Sequence, residues 1–287
     1  MCIIHRAILA RTMNCDKMDC DKNNRFTCSL NDALKFQEND QLTIDQRLKF
    51  LYPFIDENVT PLPRALSKTD KSNFVNVTRR NPFRCEYTTP VLNYNNHDDV
   101  GAIRASNPIP PQCGIYYYEI EVICRGKYGK IAIGLTAKGT NLGRQPGWDA
   151  STFGYHGDDG RCFNNQGYGE KFGPTFGAND IIGCGLNLQN KTCFFTKNGN
   201  FLGAAFKDMP TISLYPTIGL HSKNEQVVVN FGQKPFKYNI KIEMILNDAH
   251  QLDVSTNSIL DSTDSMCNMH SSKTKSEGIL QYNYMPD

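Results

Sequence analysis

Between residues 59 and 240 the chain runs in short stretches of β-branched and aromatic residues, each broken by Gly, Asn, Asp or Pro. The clearest are Ile115–Cys124, Lys130–Thr136, Asp180–Asn187, Thr192–Lys197, Phe201–Phe206, Leu214–Leu220 and Gln226–Phe231. In the first, Tyr116, Tyr118, Ile120 and Val122 share one face while Glu119 and Glu121 take the other, the period of a half-buried strand. Asn198-Gly199 tolerates positive φ at both central turn positions and predicts a tight hairpin; Gln189-Asn190 links the pair before it. The three stretches from 180 to 206 therefore read as an antiparallel meander. No helical stretch long enough for a parallel crossover intervenes. The pattern predicts an all-β fold, a two-sheet antiparallel β-sandwich.

The flanks differ. Residues 1–42 are polar and mixed, and are expected to be mostly disordered apart from a short helix from about Ser29 to Phe36. Residues 43–58 form a lead-in with a helix: Thr43 and Gln46 make a capping box, Leu48 and Leu51 fall on one face, and Pro53 stops it. Residues 59–240 form the domain. Residues 241–287, rich in Ser, Thr, Asn and Asp without a period, are expected to be a flexible polar tail.

Charge narrows the partners. The 287 residues carry 31 basic and 29 acidic side chains, a formal net charge of +2, and the longest basic run is a pair such as Arg79-Arg80. Nothing there draws the chain onto nucleic acid or an anionic membrane. The apolar residues near the start are interrupted by Arg6, which breaks the core of a secretory signal. No window reaches the roughly 18 apolar residues of a membrane span. These features predict a cytoplasmic protein, with the nucleus as a second compartment. The 11 cysteines have no regular spacing and no Cys-x-x-Cys pair. Cys15, Cys20 and Cys28 cluster without a fourth ligand at finger spacing, so the thiols read as reduced and structural. The sequons at Asn58, Asn76 and Asn190 carry little weight without a signal.

One constellation imitates a catalytic site. His156 stands beside Asp158 and Asp159, which could hold a metal or activate water. The aspartates lie between Gly157 and Gly160, where such residues brace turns, and no nucleophile elbow or phosphate loop accompanies them. The glycines at 167, 169 and 173 precede no helix and form a loop. Trp148, the one tryptophan, reads as packing rather than a hot spot.

The ordered set of motifs resembles a SPRY domain. It comprises Gly114 to Val122, Ile133-Gly134-Leu135, Pro146-Gly147-Trp148-Asp149, Gly154 to Gly160, Phe172 to Phe176, Thr196 to Gly199, Leu214 to Thr217 and Asn230-Phe231-Gly232. The combination is most similar to the Ran-binding protein M family, and the likeness reaches upstream through Arg47 to Pro53 and Thr60 to Arg64. The resemblance implies a SPRY, concanavalin-like sandwich without catalytic role, metal or cofactor. It implies an intracellular adaptor that binds linear peptide motifs, as a scaffold or substrate-recognition part of a ubiquitin ligase complex. The LisH and CTLH modules that follow in that family find no room in residues 241–287. Two alternatives stay open: a hydrolase or metal-dependent enzyme centred on His156, Asp158 and Asp159, and a secreted SPRY effector.

By position along those motifs, three loop segments are expected to form a partner-binding rim. The first holds Asn95, Asn96, His97, Asp98 and Asp99, with Ala102 just beyond; the second holds Asn141, Leu142 and Arg144; the third holds His221, Ser222 and Lys223. Leu142 and Ser222 stand where relatives that bind Asn-rich peptides carry aromatic residues. Amides, carboxylates, a guanidinium and an imidazole suit an extended polar peptide. Charge reversal at Arg144, or a bulky residue at Ala102 or Ser222, is expected to weaken binding and spare the fold.

Overall fold

A computed structural model describes residues 33–36, 39, 41–88, 100–165 and 167–247. The Cys15, Cys20, Cys28 cluster lies outside those residues, as do most of the two expected disordered ends and most of the short Ser29–Phe36 helix, of which 33–36 are helical; residues 241–247, expected to begin a flexible tail, are instead helical. Helix α1, Ile44–Leu51, opens on the capping box: the Thr43 hydroxyl accepts from the Gln46 amide while the Gln46 side chain accepts from the Thr43 amide. Its buried face carries Leu48 and Leu51.

Fourteen strands follow among the described residues: β1 (Leu66–Lys71), β2 (Val75–Val77), β3 (Arg84–Tyr87), β4 (Gly101–Ala105), β5 (Ile115–Arg125), β6 (Ala132–Ala137), β7 (Thr152–His156), β8 (Arg161–Asn164), β9 (Glu170–Lys171), β10 (Ile181–Asn187), β11 (Thr192–Lys197), β12 (Asn200–Phe206), β13 (Leu214–Leu220) and β14 (Glu225–Asn230). They form two antiparallel seven-stranded sheets. One runs β1-β4-β13-β6-β7-β8-β9 and the other β12-β11-β10-β5-β14-β3-β2. The meander is present as β10-β11-β12, and its turn residues Asn198 and Gly199 have φ of 52° and 82°.

The core lies between the sheets, filled by Tyr116, Tyr118, Ile120 and Val122 of β5 against Ile133, Leu135, Tyr155 and Ile218. The Tyr118 hydroxyl crosses to the opposite sheet and donates to the Gly134 carbonyl at 2.6 Å, which satisfies a polar tip in an apolar interior. Burial of each large side chain contributes about 1.5–3 kcal/mol.

Both outer faces are also covered. Over the β5 sheet lie α1, residues 231–239 and a helical stretch of about two turns at 240–247. Phe236 packs edge-on to the Tyr117 ring, and Lys241 donates to the Phe50 carbonyl. Where β14 ends at the Asn230–Glu119 pair, the Tyr52 hydroxyl accepts from the Tyr117 amide at 3.2 Å and extends the ladder by one bond. This layer corrects one expectation. Glu119 does not face water: it is 3% exposed and accepts from the Lys237 and Tyr238 amides and the Tyr117 hydroxyl. Its burial raises the carboxyl above the ordinary range, against the pull of those donors.

A strap, residues 138–150, crosses the outer face of the other sheet, and two glycines let it lie flat. A Cβ at Gly219 would stand 1.8 Å from the Gln145 Oε1, and one at Gly154 would stand 2.1 Å from the Pro146 carbonyl. The cysteines among the described residues are free, and Cys85, Cys162, Cys184 and Cys193 are buried. Burial pushes the Cys85 and Cys113 thiols up to about 12, as expected of inert thiols acting as small hydrophobes.

Candidate functional site

At one end of the sandwich the connections of both sheets converge. The β13–β14 loop (221–224), the β5–β6 loop (126–131), the β7–β8 turn (157–160), the β8–β9 hairpin and the strap meet around a depression of about 160 Å³. Lys130, Gln145, Trp148, His156, Asp158, Asp159, Phe163, Gly167 and His221 border it.

The predicted segments fall unevenly. Asn95, Asn96, His97, Asp98 and Asp99 lie outside the described residues, just before β4 enters this end. Ala102 donates its amide to the Leu142 carbonyl at 2.7 Å and pairs with Gly219, two residues before His221. Leu142 of the second segment and Gly219, just before the third, therefore both flank Ala102 at the start of β4. Asn141 closes an Asx turn onto the Gly143 amide at 2.9 Å. Arg144 is 47% exposed; its guanidinium contacts Asp149 at 2.7 Å and lies 5.4 Å from the centre of the Trp148 ring. Lys223 is exposed.

Three residues take a different place from the one expected. Ala102, His221 and Ser222 are buried, so they hold the rim from beneath. A bulky residue at Ala102 or Ser222 would thus strike the fold as well as the surface.

The support of this end was not read from the sequence. Glu225, fully buried, accepts the Lys130 amide and the Ser222 hydroxyl on Oε1 and the His221 amide on Oε2. Gln145 donates to the Lys130 carbonyl at 2.8 Å, which ties the strap to the same loop. Farther down, the buried Arg104 reaches the Thr136 hydroxyl, Asp70, and the Ala137 and Thr140 carbonyls, fixing the point where the strap leaves β6. On the surface, Lys127 and Lys130 lie 4.8 and 5.8 Å from the centre of the Tyr128 ring, which meets His221 edge-on. Lys127, Lys130 and Lys223 have no carboxylate partner among the described residues.

The catalytic rival meets an obstacle in His156. Its ring is buried, stacks on Phe163 at 4.1 Å, and its Nε2 is engaged with the Pro146 carbonyl at 2.9 Å. Burial lowers its pKa, so the imidazole is neutral and serves as packing beneath Trp148. Asp159 accepts the Arg161 amide and braces the turn as such residues do. No group of three His, Cys, Asp or Glu capable of holding a metal occurs among the described residues. None of their helices is long and apolar enough to cross a membrane.

Residues 115–234 match the model of the SPRY domain. The chain is 46% identical to Ran-binding protein 10 of Danio rerio over 209 residues, 73% of this chain and 33% of that protein. It is 46% identical to Ran-binding protein 9 of Mus musculus over 213 residues, 73% of this chain and 31% of that one. It thus spans about a third of the length of the curated relatives it matches. A crystal structure of a human SPRY domain is 30% identical, covering 55% of this chain and 96% of that domain, with a TM-score of 0.49.

Proposed function

The chain belongs to the SPRY domain family, and from that premise we propose that it is a protein-interaction adaptor, reading an extended polar peptide of a partner protein at the converged loop end. One observation carries the reading: this end combines fixed support with uncommitted chemistry. Glu225 and Gln145 hold the loops, while Lys127, Lys130, Lys223 and the half-exposed Tyr128 face solvent, the lysines without an ion pair among the described residues. Pre-organised donors at a surface lower the ordering cost of binding, and that is what a recognition rim needs. His156, Asp158 and Asp159 form part of its wall, not a reaction centre. The finer reading adds a cytoplasmic or nuclear setting and a place as a scaffold or substrate-recognition part of a ubiquitin ligase complex. Ubiquitin transfer to a bound client in a reconstituted ligase, with and without this chain, tests that placement; equal transfer refutes it.

Peptides selected on the whole chain from a random-sequence display library provide the binding probe. Lys130→Glu and Arg144→Glu should each weaken the selected peptide by about tenfold or more, the loss of about 1.4 kcal/mol or more, with little change in melting temperature. Lys207→Glu, at the opposite end of the sandwich, should bind as wild type. Equal binding by both rim variants overturns the assignment of this surface.

A further inference from the structure

Two loops of the rim are separated in sequence by the eight strands β6 to β13, yet one side chain joins them. Glu225 opens β14 with no exposed surface, and three donors converge on its carboxylate. The Lys130 amide reaches Oε1 at 3.1 Å from the β5–β6 loop. The Ser222 hydroxyl reaches the same oxygen at 2.6 Å and the His221 amide reaches Oε2 at 2.6 Å, both from the β13–β14 loop. Ser222 then passes the constraint on, because its Oγ accepts the Tyr128 amide at 3.3 Å. The backbone is fitted to this arrangement. Gly126 has φ of 60°, and a Cβ there would stand 2.7 Å from the Glu225 Cγ and 2.8 Å from the Lys223 carbonyl.

We propose that Glu225 is the positioning residue of the recognition surface: its carboxylate locks the β5–β6 and β13–β14 loops into one unit and so sets the placement of Tyr128, Lys130 and Lys223 toward a partner. The inference rests on the function proposed above. A solvated loop of six residues and another of four would sample many arrangements on their own, and each would have to be ordered on binding. The shared anion orders them beforehand. It is suited to the task because a carboxylate accepts several donors at once, whereas an amide in its place presents an N–H to one of them. The same surface then behaves as a preformed template, and the apparent affinity falls in proportion to the fraction of molecules that hold it.

Glu225→Gln keeps the shape and removes one acceptor oxygen. Ser222→Ala is a milder companion that deletes a single donor to the carboxylate and the acceptor of the Tyr128 amide. Hydrogen exchange of the Tyr128, Lys130 and His221 amides reports the lock, and exchange of the Ile120 and Cys184 amides in β5 and β10 reports the core. Titration of each whole chain with the display-selected peptide reports recognition. The expected result is faster exchange at the three loop amides in both variants, core amides unchanged, and affinity reduced about tenfold in Glu225→Gln, less in Ser222→Ala. If the loop amides keep wild-type exchange, the carboxylate does not hold the loops and the proposal fails. If they exchange faster while the peptide binds as before, the loops need no lock and the proposal again fails, although the surface assignment stands. That assignment fails separately when Lys130→Glu and Arg144→Glu bind as wild type. Should Glu225→Gln not fold, Ser222→Ala decides between the same outcomes.

Discussion

Replacing Gly219 by alanine tests whether the strap lies on the sheet as described. Gly219 sits in β13, paired with Ala102 on one side and Ala132 on the other. A Cβ there would stand 1.8 Å from the Gln145 Oε1 and 2.7 Å from the Pro146 Cδ. The Gln145 side chain can turn aside, but the Pro146 ring cannot, so part of the strap must lift. Overpacking of this kind costs about 1–3 kcal/mol. Lifting the strap also breaks the bond from the Gln145 amide to the Lys130 carbonyl, about 1 kcal/mol more. For a domain of this size each kcal/mol lowers the melting temperature by about 2–4 °C.

Gln145→Ala removes the nearer obstacle. Its Oε1 has no hydrogen-bond partner among the described residues, so deleting that atom strands no donor there, and the freed Lys130 carbonyl belongs to an exposed loop residue. In that background Gly219→Ala should therefore cost less by about 1 kcal/mol or more, the residue being the contact with Pro146. Urea denaturation of the four proteins of this double-mutant cycle gives the coupling. If Gly219→Ala costs the same in both backgrounds, Gln145 does not lie over Gly219 and the account of the strap is wrong.

Tyr52→Phe should cost about 1–3 kcal/mol, because the Tyr117 amide loses its acceptor at a buried position; a change within 0.5 kcal/mol in the same denaturation assay would show that the bond does not form. Glu119 and Glu225 are both raised above the ordinary carboxyl range, chiefly by burial, so the folded chain binds these protons more readily than the unfolded chain. Their contribution is therefore fully present below the unfolded value near 4.5 and is lost as pH rises through the raised folded values. Glu119→Gln should flatten the fall in stability between weakly acidic and neutral pH, and an unchanged slope would refute the assignment. Arg144→Glu should leave the melting temperature almost where it is, since its ion pair with Asp149 is half exposed and such pairs contribute about 0–1 kcal/mol; a loss of several degrees would mean that Arg144 supports the fold.

The parts of the fold legible in the sequence are those whose causes are local. Asn198-Gly199 specifies its own turn, and the capping box of Thr43 and Gln46 specifies the start of α1, each within four residues. Strands β7 to β9 carried no such signal. Thr152–His156 and Arg161–Asn164 are short and mix glycine, histidine and asparagine with aromatics, so neither period nor composition marks them. Alternation in β5 separated its two faces but said nothing of what covers each. Glu119 was placed in water for that reason, while Phe236, Lys237 and Tyr238, more than 110 residues later, close over it.

The same limit governs the proposed recognition surface. Motif order gives the order of the loops, because loop positions follow strand positions. It does not separate exposed residues from those that hold them, because that depends on contacts across the fold: the bond from Ala102 to the strap and the Lys130 amide on Glu225, 95 positions apart. Ser222 illustrates the consequence. Read along the chain it is a small polar residue in an exposed loop, yet in the fold its hydroxyl is buried between Glu225 and the Tyr128 amide, so on the proposed reading its loss would act on binding through Tyr128 and Lys130. Selection on binding would therefore act on supports and contact residues alike. What tells them apart is that a support, when altered, changes the exchange of its loop before any partner is added, while a contact residue such as Lys130 changes only the encounter.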